Sequence, residues 1–380
     1  MEELTHLQQI ALYGFLLAIV FGAIAAKTNF CTMGAVSDIV NIGSRGRMSA
    51  WLFAIGVAMI GTTYLRTNGY IDLDSTMYLA SNFTYLSYAL GGFLFGIGMT
   101  LAAGCGQRNL VRIGGGNLKS VVVVLIFGIT AYMTMRGLFA YIRIDYLAKP
   151  VIDLEAAGMA GQGFDHAIAA IFGLTHDAAL QMIVALVLGL GCIIYAVKHE
   201  EFRTSFDNIL AGVVIGGLVI LAWYITGHLG QDDFDPIAPA GLTFIGPTGN
   251  TISYLMTFTG SEIDFAIAVT FGMILGSFLY AIASGTFRVE TFSNKSEMIS
   301  NMGGAVLMGF GGVLSLGCTI GQGVTGLSTL AFGSALVLGM IIFGSALTMK
   351  VQYHMMDECT FGTAVKNGLN ELINPFYKEA

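Results

Sequence analysis

The chain reads as an all-α polytopic membrane protein with internal repeats, and its composition, its charge-free runs and its similarity to itself carry that reading. Of 380 residues, 55% are hydrophobic and 11% are charged, with a mean hydropathy of +0.74. About a quarter of an ordinary soluble domain is charged. The same figures exclude disorder, a collagen-like rod and a disulfide-rich scaffold. The 51 glycines and 26 phenylalanines are spread evenly, which favours one bilayer-embedded unit, 1–380, over a string of soluble domains. The net charge of −7 comes with no basic run, so the expected surroundings are the lipid bilayer and not nucleic acid or an anionic lipid surface.

A charge at a helix centre costs about 2.5–3.5 kcal/mol and each Leu, Ile, Phe or Val returns only about 0.3–0.6, so charge-free runs measure the spans. They cover 4–26, 48–65, 75–107, 120–135, 178–197, 208–231, 265–287 and 298–349, against roughly 20 residues for one crossing. Glu2 and Glu3 precede the first run with no Lys or Arg, so it is expected to stay as a membrane helix and not to be cleaved as a signal peptide. The 75–107 run opens with a polar, Tyr-rich stretch (Tyr78, Asn82, Tyr85), which confines its membrane part to about 86–104. The 298–349 run must hold two passes. Between them lies Gly317-Cys318-Thr319-Ile320-Gly321-Gln322-Gly323, a break with no charge to draw it into water, and such backbone survives at depth only inside protein or against a cavity.

Lys and Arg favour the cytoplasmic side. Arg45, Arg47, Arg108, Arg112, Lys119, Lys198, Arg203, Arg288 and Lys295 mark that side, and segment 227–264, with Asp232, Asp233, Asp235, Glu262 and Asp264 and no Lys or Arg, is expected to lie outside. Segments 66–85 and 143–177 do not contradict this.

A shift of 213 residues aligns 91–113 with 304–326 at eight identities, Gly104/Gly317 and Cys105/Cys318 among them, where chance gives about two. We expect a first half at 15–135, a second at 265–350, a central segment at 140–260 with extra spans and the acidic loop, and a polar tail at 351–380. A weaker echo pairs Phe21, Ala26 and Phe30 with Phe278, Ala283 and Phe287, placing Arg288 in the slot of Cys31. Transporters built on repeats hold substrate where interrupted helices meet.

The two Gly-Cys breaks are therefore the candidate site, formed by Gly104, Cys105, Gly106, Gly317, Cys318, Thr319 and Gln322. Glycine admits unusual backbone and close approach, and broken helix ends present free N–H groups to an anion. A thiol adds a weak donor and a soft sulfur, better matched to another sulfur than to a hard oxyanion. The alternative is a small buried hydrophobe, and that is the reading for Cys192 in a plain helical run; Cys359, in the polar tail, is read as functionally idle. Cys31, in Asn29-Phe30-Cys31-Thr32-Met33-Gly34-Ala35, joins the candidates. Lys27 shares a face with Cys31 if that stretch is helical, and then either draws anions or snorkels to the membrane edge. Arg108 and Arg112 either gather anions at a mouth or simply mark the basic side. Histidines 6, 166, 176, 199, 228 and 354 show no metal-ligand spacing and the cysteines no CxxC pair, so no metal or cofactor is expected.

At these motifs the chain resembles the YeeE/YedE family of sulfur transport proteins. The likeness rests on Asn29 to Ala35, on Gly91-Gly92-Phe93-Leu94-Phe95-Gly96-Ile97-Gly98-Met99 leading to Gly104-Cys105, and on Gly303-Gly304 through Gly309 and Gly311 to Gly317-Cys318-Thr319-Ile320-Gly321. It covers about 15–135 and 265–350. The resemblance implies an inner-membrane carrier with an hourglass of helices and short re-entrant helix-loop-helix elements around a central path. It further implies import of thiosulfate from cysteine to cysteine, among Cys31, Cys105 and Cys318, by transient S–H···S contacts, and a sulfurtransferase-type partner. Another sulfur or selenium species is the alternative substrate. A membrane-embedded sulfurtransferase is the weaker reading, because no His or carboxylate stands within ten residues of Cys105 or Cys318 to serve as base. No GxxxxGK[ST] motif is present for an ATP-driven pump.

Overall fold

A computed structural model describes residues 5–156, 158–232, 236–357 and 360–373. Glu2, Glu3, Asp233, Asp235 and Cys359, named above, fall outside the described residues. Eight helical stretches are long and apolar enough to cross a membrane. They are built on α1 (His6–Thr28), α3 (Gly46–Thr67), α4 (Tyr85–Leu101), α6 (Leu118–Arg136), α9 (Ala178–Lys198), α11 (Phe206–Tyr224), α13 (Phe265–Ala283) and α15 (Phe332–Met356). A more polar helix, α14 (Lys295–Leu314), packs along α4, α16 (Phe361–Ile373) packs on α15, and short helices α7 (Leu138–Ile142) and α10 (Glu200–Arg203) lie in the connections. Helices are the necessary form here, because in lipid every backbone N–H and C=O must find its partner within the segment. Several start on polar caps whose side chains accept a backbone N–H of the first turn: Thr5, Asn117, Asp177, Ser205, Asp264 and Asn294. The only strands among the described residues are two-residue segments, β1 (Asn82–Phe83) and β2 (Ile152–Asp153), which pair antiparallel and tie two loops together.

Small residues set the central packing. A Cβ on Gly98 would lie 2.6 Å from the Gly304 carbonyl oxygen, and a Cβ on Gly304 would lie 2.6 Å from that of Gly98. The backbones of α4 and α14 therefore touch, the close approach that drives helix association where no hydrophobic effect operates.

The charged loops sort into two ends. At the basic end, Glu201 Oε2 accepts hydrogen bonds from Ser44 Oγ (2.8 Å), Arg45 N (2.7 Å) and Gly46 N (2.9 Å), and Lys119 meets Glu297 at 2.5 Å. At the acidic end, Arg66 pairs with Asp74 and lies 3.6 Å from Asp165, and His6 faces Asp232 at 4.0 Å. The basic residues marked in the sequence gather at the first of these ends.

Between the long helices, four short ones begin inside the protein. From the basic end come α2 (Thr32–Ser37), which continues as a π turn through Ile42, and α5 (Gly106–Gly114). From the acidic end comes the helical segment 319–328, which includes the π turn Gly321–Gly326. The fourth, α12 (Ile245–Met256), was unforeseen. Segment 227–264 was expected to stay outside, yet Leu242, Phe244 and Ile245 are buried, and Phe244 packs on Phe21 with ring centroids 5.6 Å apart. The chain carries no charge between Asp235 and Glu262, so nothing holds this stretch in water and burial among helices satisfies it.

Candidate functional site

Each candidate cysteine follows by two residues a non-glycine residue in the left-handed region: Asn29 at φ 52°, Ala103 at φ 53° and Leu316 at φ 56°. Asparagine tolerates this backbone, whereas alanine and leucine pay about 1–2 kcal/mol for it. The left-handed residue stops the long helix and reverses the chain, delivering Cys31 as the N-cap of α2, Cys105 as the N-cap of α5 and Cys318 just ahead of 319–328. Gly321 N donates to Cys318 Sγ at 3.4 Å. The N–H groups of Gly34 and Arg108, also three residues on, are directed at Cys31 and Cys105 without completing a cap hydrogen bond.

These starts converge. The side chains of Cys31 and Cys105 face one another, and the Thr319 hydroxyl is turned towards Cys105. Thr243 Oγ1 lies 3.9 Å from Cys318 Sγ and also lines a cavity of about 90 Å³ with Tyr78, Trp223 and Pro239, on the acidic side of Cys318. A continuous row therefore runs from this cavity through Thr243, Cys318 and its neighbour Thr319 to Cys105 and Cys31. It is shut along its length: Cys105 and Cys318 are 0% exposed and Cys31 5%.

Polar side chains brace the breaks. Arg108 Nη2 donates to Asn29 Oδ1 at 2.8 Å, and Arg112 Nη1 to the Ala103 carbonyl at 2.9 Å. Asn109 Nδ2 donates to the carbonyls of Gly104 and Cys105. In the third break Gln322 Nε2 donates to the Ser315 carbonyl at 2.6 Å while its Oε1 accepts from Ser334 Oγ at 2.6 Å. Gln322 thus has both ends of its amide engaged and holds backbone in place. Gly106 and Gly317 leave room: a Cβ would meet Ile245 Cδ1 at 2.9 Å and Gln322 Cγ at 3.2 Å, respectively. Lys27 stands apart. Helix α1 ends at Thr28, so the shared face with Cys31 does not form, and the Lys27 ammonium lies 5.4 Å from the centre of the Phe206 ring. Cys192 sits half-buried on α9.

Sequence reasoning missed Thr243, Thr32 and Gln107. Thr32 Oγ1, Gln107 Nε2 and Thr319 Oγ1 are buried without a hydrogen-bond partner, each one or two residues after a candidate cysteine. An orphaned buried polar atom costs roughly 1–3 kcal/mol, and three such atoms stand beside the three thiols. The charge-free stretch before Glu262 was the available signal for Thr243.

The pattern of the family described as Sulphur transport matches residues 27–347. The chain is 26% identical over 350 residues to the thiosulfate transporter TsuA of Escherichia coli (strain K12), covering 88% of this chain and 92% of that protein. It is 27% identical over 338 residues to the thiosulfate transporter TsuA of Spirochaeta thermophila, covering 87% of this chain and 96% of that one. With a match that takes in all three breaks and most of the helices around them, this multi-pass membrane protein belongs to the sulphur transport family.

Proposed function

We propose that the chain carries thiosulfate, or a closely related sulfur anion, across the inner (plasma) membrane along Cys318, Cys105 and Cys31. The observation that carries this reading is the buried row of three thiols, each at the start of a short helix and each beside an unpartnered polar atom. Helix starts attract an anion through free N–H groups, and both relatives named above are thiosulfate transporters. The terminal sulfur of thiosulfate is large and weakly hydrated, so weak S–H donors and hydroxyls suffice to replace its water. Sulfate, of equal charge, would lose tightly held water without adequate return. Gly104, Gly106 and Gly317 keep the backbone open beside the thiols, Thr243 leads the guest from the cavity to Cys318, Thr319 steps it on to Cys105, and Gln322 holds the third break. Transfer from thiol to thiol needs no covalent bond. Among the described residues no His, Asp or Glu hydrogen-bonds to these cysteines, as a sulfurtransferase nucleophile would require. A sulfurtransferase receiving the anion on the far side fits the same chemistry.

We also read the 213-residue echo as a duplication. Phe244 caps α12 213 residues after Cys31 caps α2, as Cys318 follows Cys105, and on this reading the second half begins at α11, ahead of the 265 expected from the sequence.

Uptake of labelled thiosulfate into vesicles, with sulfate or selenite in rising amounts, tests the proposal. Sulfate is expected to compete poorly. Equal inhibition by equal sulfate would show that charge and shape govern passage and would remove the thiols from the mechanism.

A further inference from the structure

A second cluster stands at the acidic end, and spacing along the chain conceals it. Asp165 and His166 lie in the first turn of α8 (Phe164–Phe172), and His176 precedes α9. Gly173, at φ 63°, ends α8 and turns the chain back. The rings of His166 and His176 then stack at 3.9 Å, and His176 Nε2 lies 2.8 Å from Asp165 Oδ2. One donor atom from each of the three residues falls within 4.8 Å of the others. The histidines that showed no metal-ligand spacing in sequence are thus brought together by the α8–α9 turn.

Asp165 is 0% exposed, and its Oδ1 has no hydrogen-bond partner. A buried carboxylate with an idle oxygen is costly unless a cation compensates it. Arg66 supplies part of that, at 3.6 Å from Oδ2, but the same guanidinium is engaged by Asp74 at 2.5 Å. One positive charge is shared between two carboxylates, and one negative charge remains beside two imidazoles. Space is reserved for the carboxylate: a Cβ on Gly163 would lie 2.0 Å from Asp165 Oδ1.

We propose that Asp165, His166 and His176 form a binding site for a transition-metal dication such as zinc. Two imidazole nitrogens and one carboxylate oxygen suit that class, whereas calcium and magnesium call for oxygen ligands throughout. Zinc bonds of about 2.0–2.2 Å to such donors require the two stacked rings to turn out of their parallel arrangement, so that their nitrogens and an Asp165 oxygen point at one centre. His176, whose side chain is 28% exposed, gives the ion its way in. The start of α8 is bonded to the exit of the third break, Phe164 N donating to the Leu330 carbonyl at 2.8 Å and Phe332 N to that of Gln162 at 2.9 Å. A bound ion would therefore stiffen the acidic-end mouth without touching the thiols.

The test is metal binding by the full-length, metal-stripped protein in detergent, titrated with Zn²⁺ and with Co²⁺. One Co²⁺ per chain is expected, with visible d–d absorption and no sulfur-to-cobalt charge-transfer band, together with a rise in thermal midpoint on adding Zn²⁺. His176→Ala and His166→Ala should each weaken binding at least tenfold, and His228→Ala should not. Because His176 is partly exposed, its variant is expected to fold, which the midpoint of the metal-free protein verifies. Absence of stoichiometric binding, unchanged binding in both variants, or a thiolate band would each overturn the proposal. All these readouts are of binding, so they stand apart from the outcome of any uptake assay.

Discussion

The Gly104-Cys105 and Gly317-Cys318 breaks share a backbone and differ in what holds it. In both, a left-handed residue precedes a glycine and then a cysteine that starts a short helix. At the basic end Ala103 is exposed, and a guanidinium, from Arg112, holds its carbonyl. At the acidic end Leu316 is half-buried, and the break is held by neutral groups, Gln322 on the Ser315 carbonyl and Ser315 Oγ on the Gly317 carbonyl at 3.1 Å. The backbone turn is thus separable from the electrostatics around it. One end offers fixed positive charge to an anion, and the other offers only hydroxyls, a thiol and helix N–H groups.

If the two breaks act in series, either thiol is indispensable whatever its surroundings. Cys105→Ala and Cys318→Ala should each reduce thiosulfate uptake at least tenfold, since removing one buried thiol is a small packing change that leaves the fold intact. Cys105→Ser keeps a donor of similar size but replaces soft sulfur with hard oxygen, and uptake should fall nearly as far. Wild-type uptake by the serine variant would show that any small donor serves there. Cys192→Ala, on an ordinary helix, should transport normally.

Stability should separate the breaks. Gln322→Ala strands the Ser315 carbonyl and the Ser334 hydroxyl in a buried site, at a cost of about 1–3 kcal/mol for each group left unpaired. Arg112→Ala frees a carbonyl that water reaches, so its cost should be below about 1 kcal/mol. Thermal midpoints of the two variants in one detergent decide the matter. Equal losses would mean that the charged brace is as structural as the neutral one.

The composition and the charge-free runs were enough to locate the long helices, because lipid allows few alternatives to them. The run 298–349 was read as two passes around a break; two long helices, α14 and α15, flank a break there, and of the two only α15 is among the eight helical stretches apolar enough to cross. Cys105 and Cys318 stood out as candidates because each follows a glycine at the same place in the 213-residue echo, a mark that Cys192 lacks. Two things were not legible. The α12 dip has no cysteine to announce it, since Phe244 occupies the cap, and acidic residues on both sides made the whole segment look aqueous. Lys27 looked like a neighbour of Cys31 only under unbroken helical periodicity, and the left-handed Asn29 destroys that. At Arg288, which the weaker echo sets in the slot of Cys31, no short helix starts: Arg288 N bonds the Gly115 carbonyl at the basic end.

A smaller effect tests whether the positive charge at the basic end acts on the anion at all. Arg108 is half-buried beside Asn29 and Cys31. Arg108→Gln should raise the half-saturating thiosulfate concentration a few-fold at low ionic strength, and the difference should shrink as salt screens the field. A salt-independent effect would make Arg108 a brace for Asn29 and nothing more.

The smallest expected effect lies at the surface of the same end. Glu201 accepts from Ser44, Arg45 and Gly46, clasping the α9–α11 turn to the start of α3. These donors, the Ser44 hydroxyl foremost, hold its carboxyl below the ordinary value of 4.5. Because the folded value lies below the unfolded one, the clasp contributes stability above about pH 4.5, and the contribution disappears as pH falls through the folded value. Glu201→Gln keeps an acceptor oxygen but no charge. The wild-type thermal midpoint should therefore exceed that of the variant at pH 7, and the gap should close in acid. Since Glu201 is fully exposed, the gap should be small and should narrow with added salt. A gap of constant size from pH 7 to well below 4.5 would mean that the amide and the carboxylate differ in packing and that charge is not what ties α9 and α11 to α3.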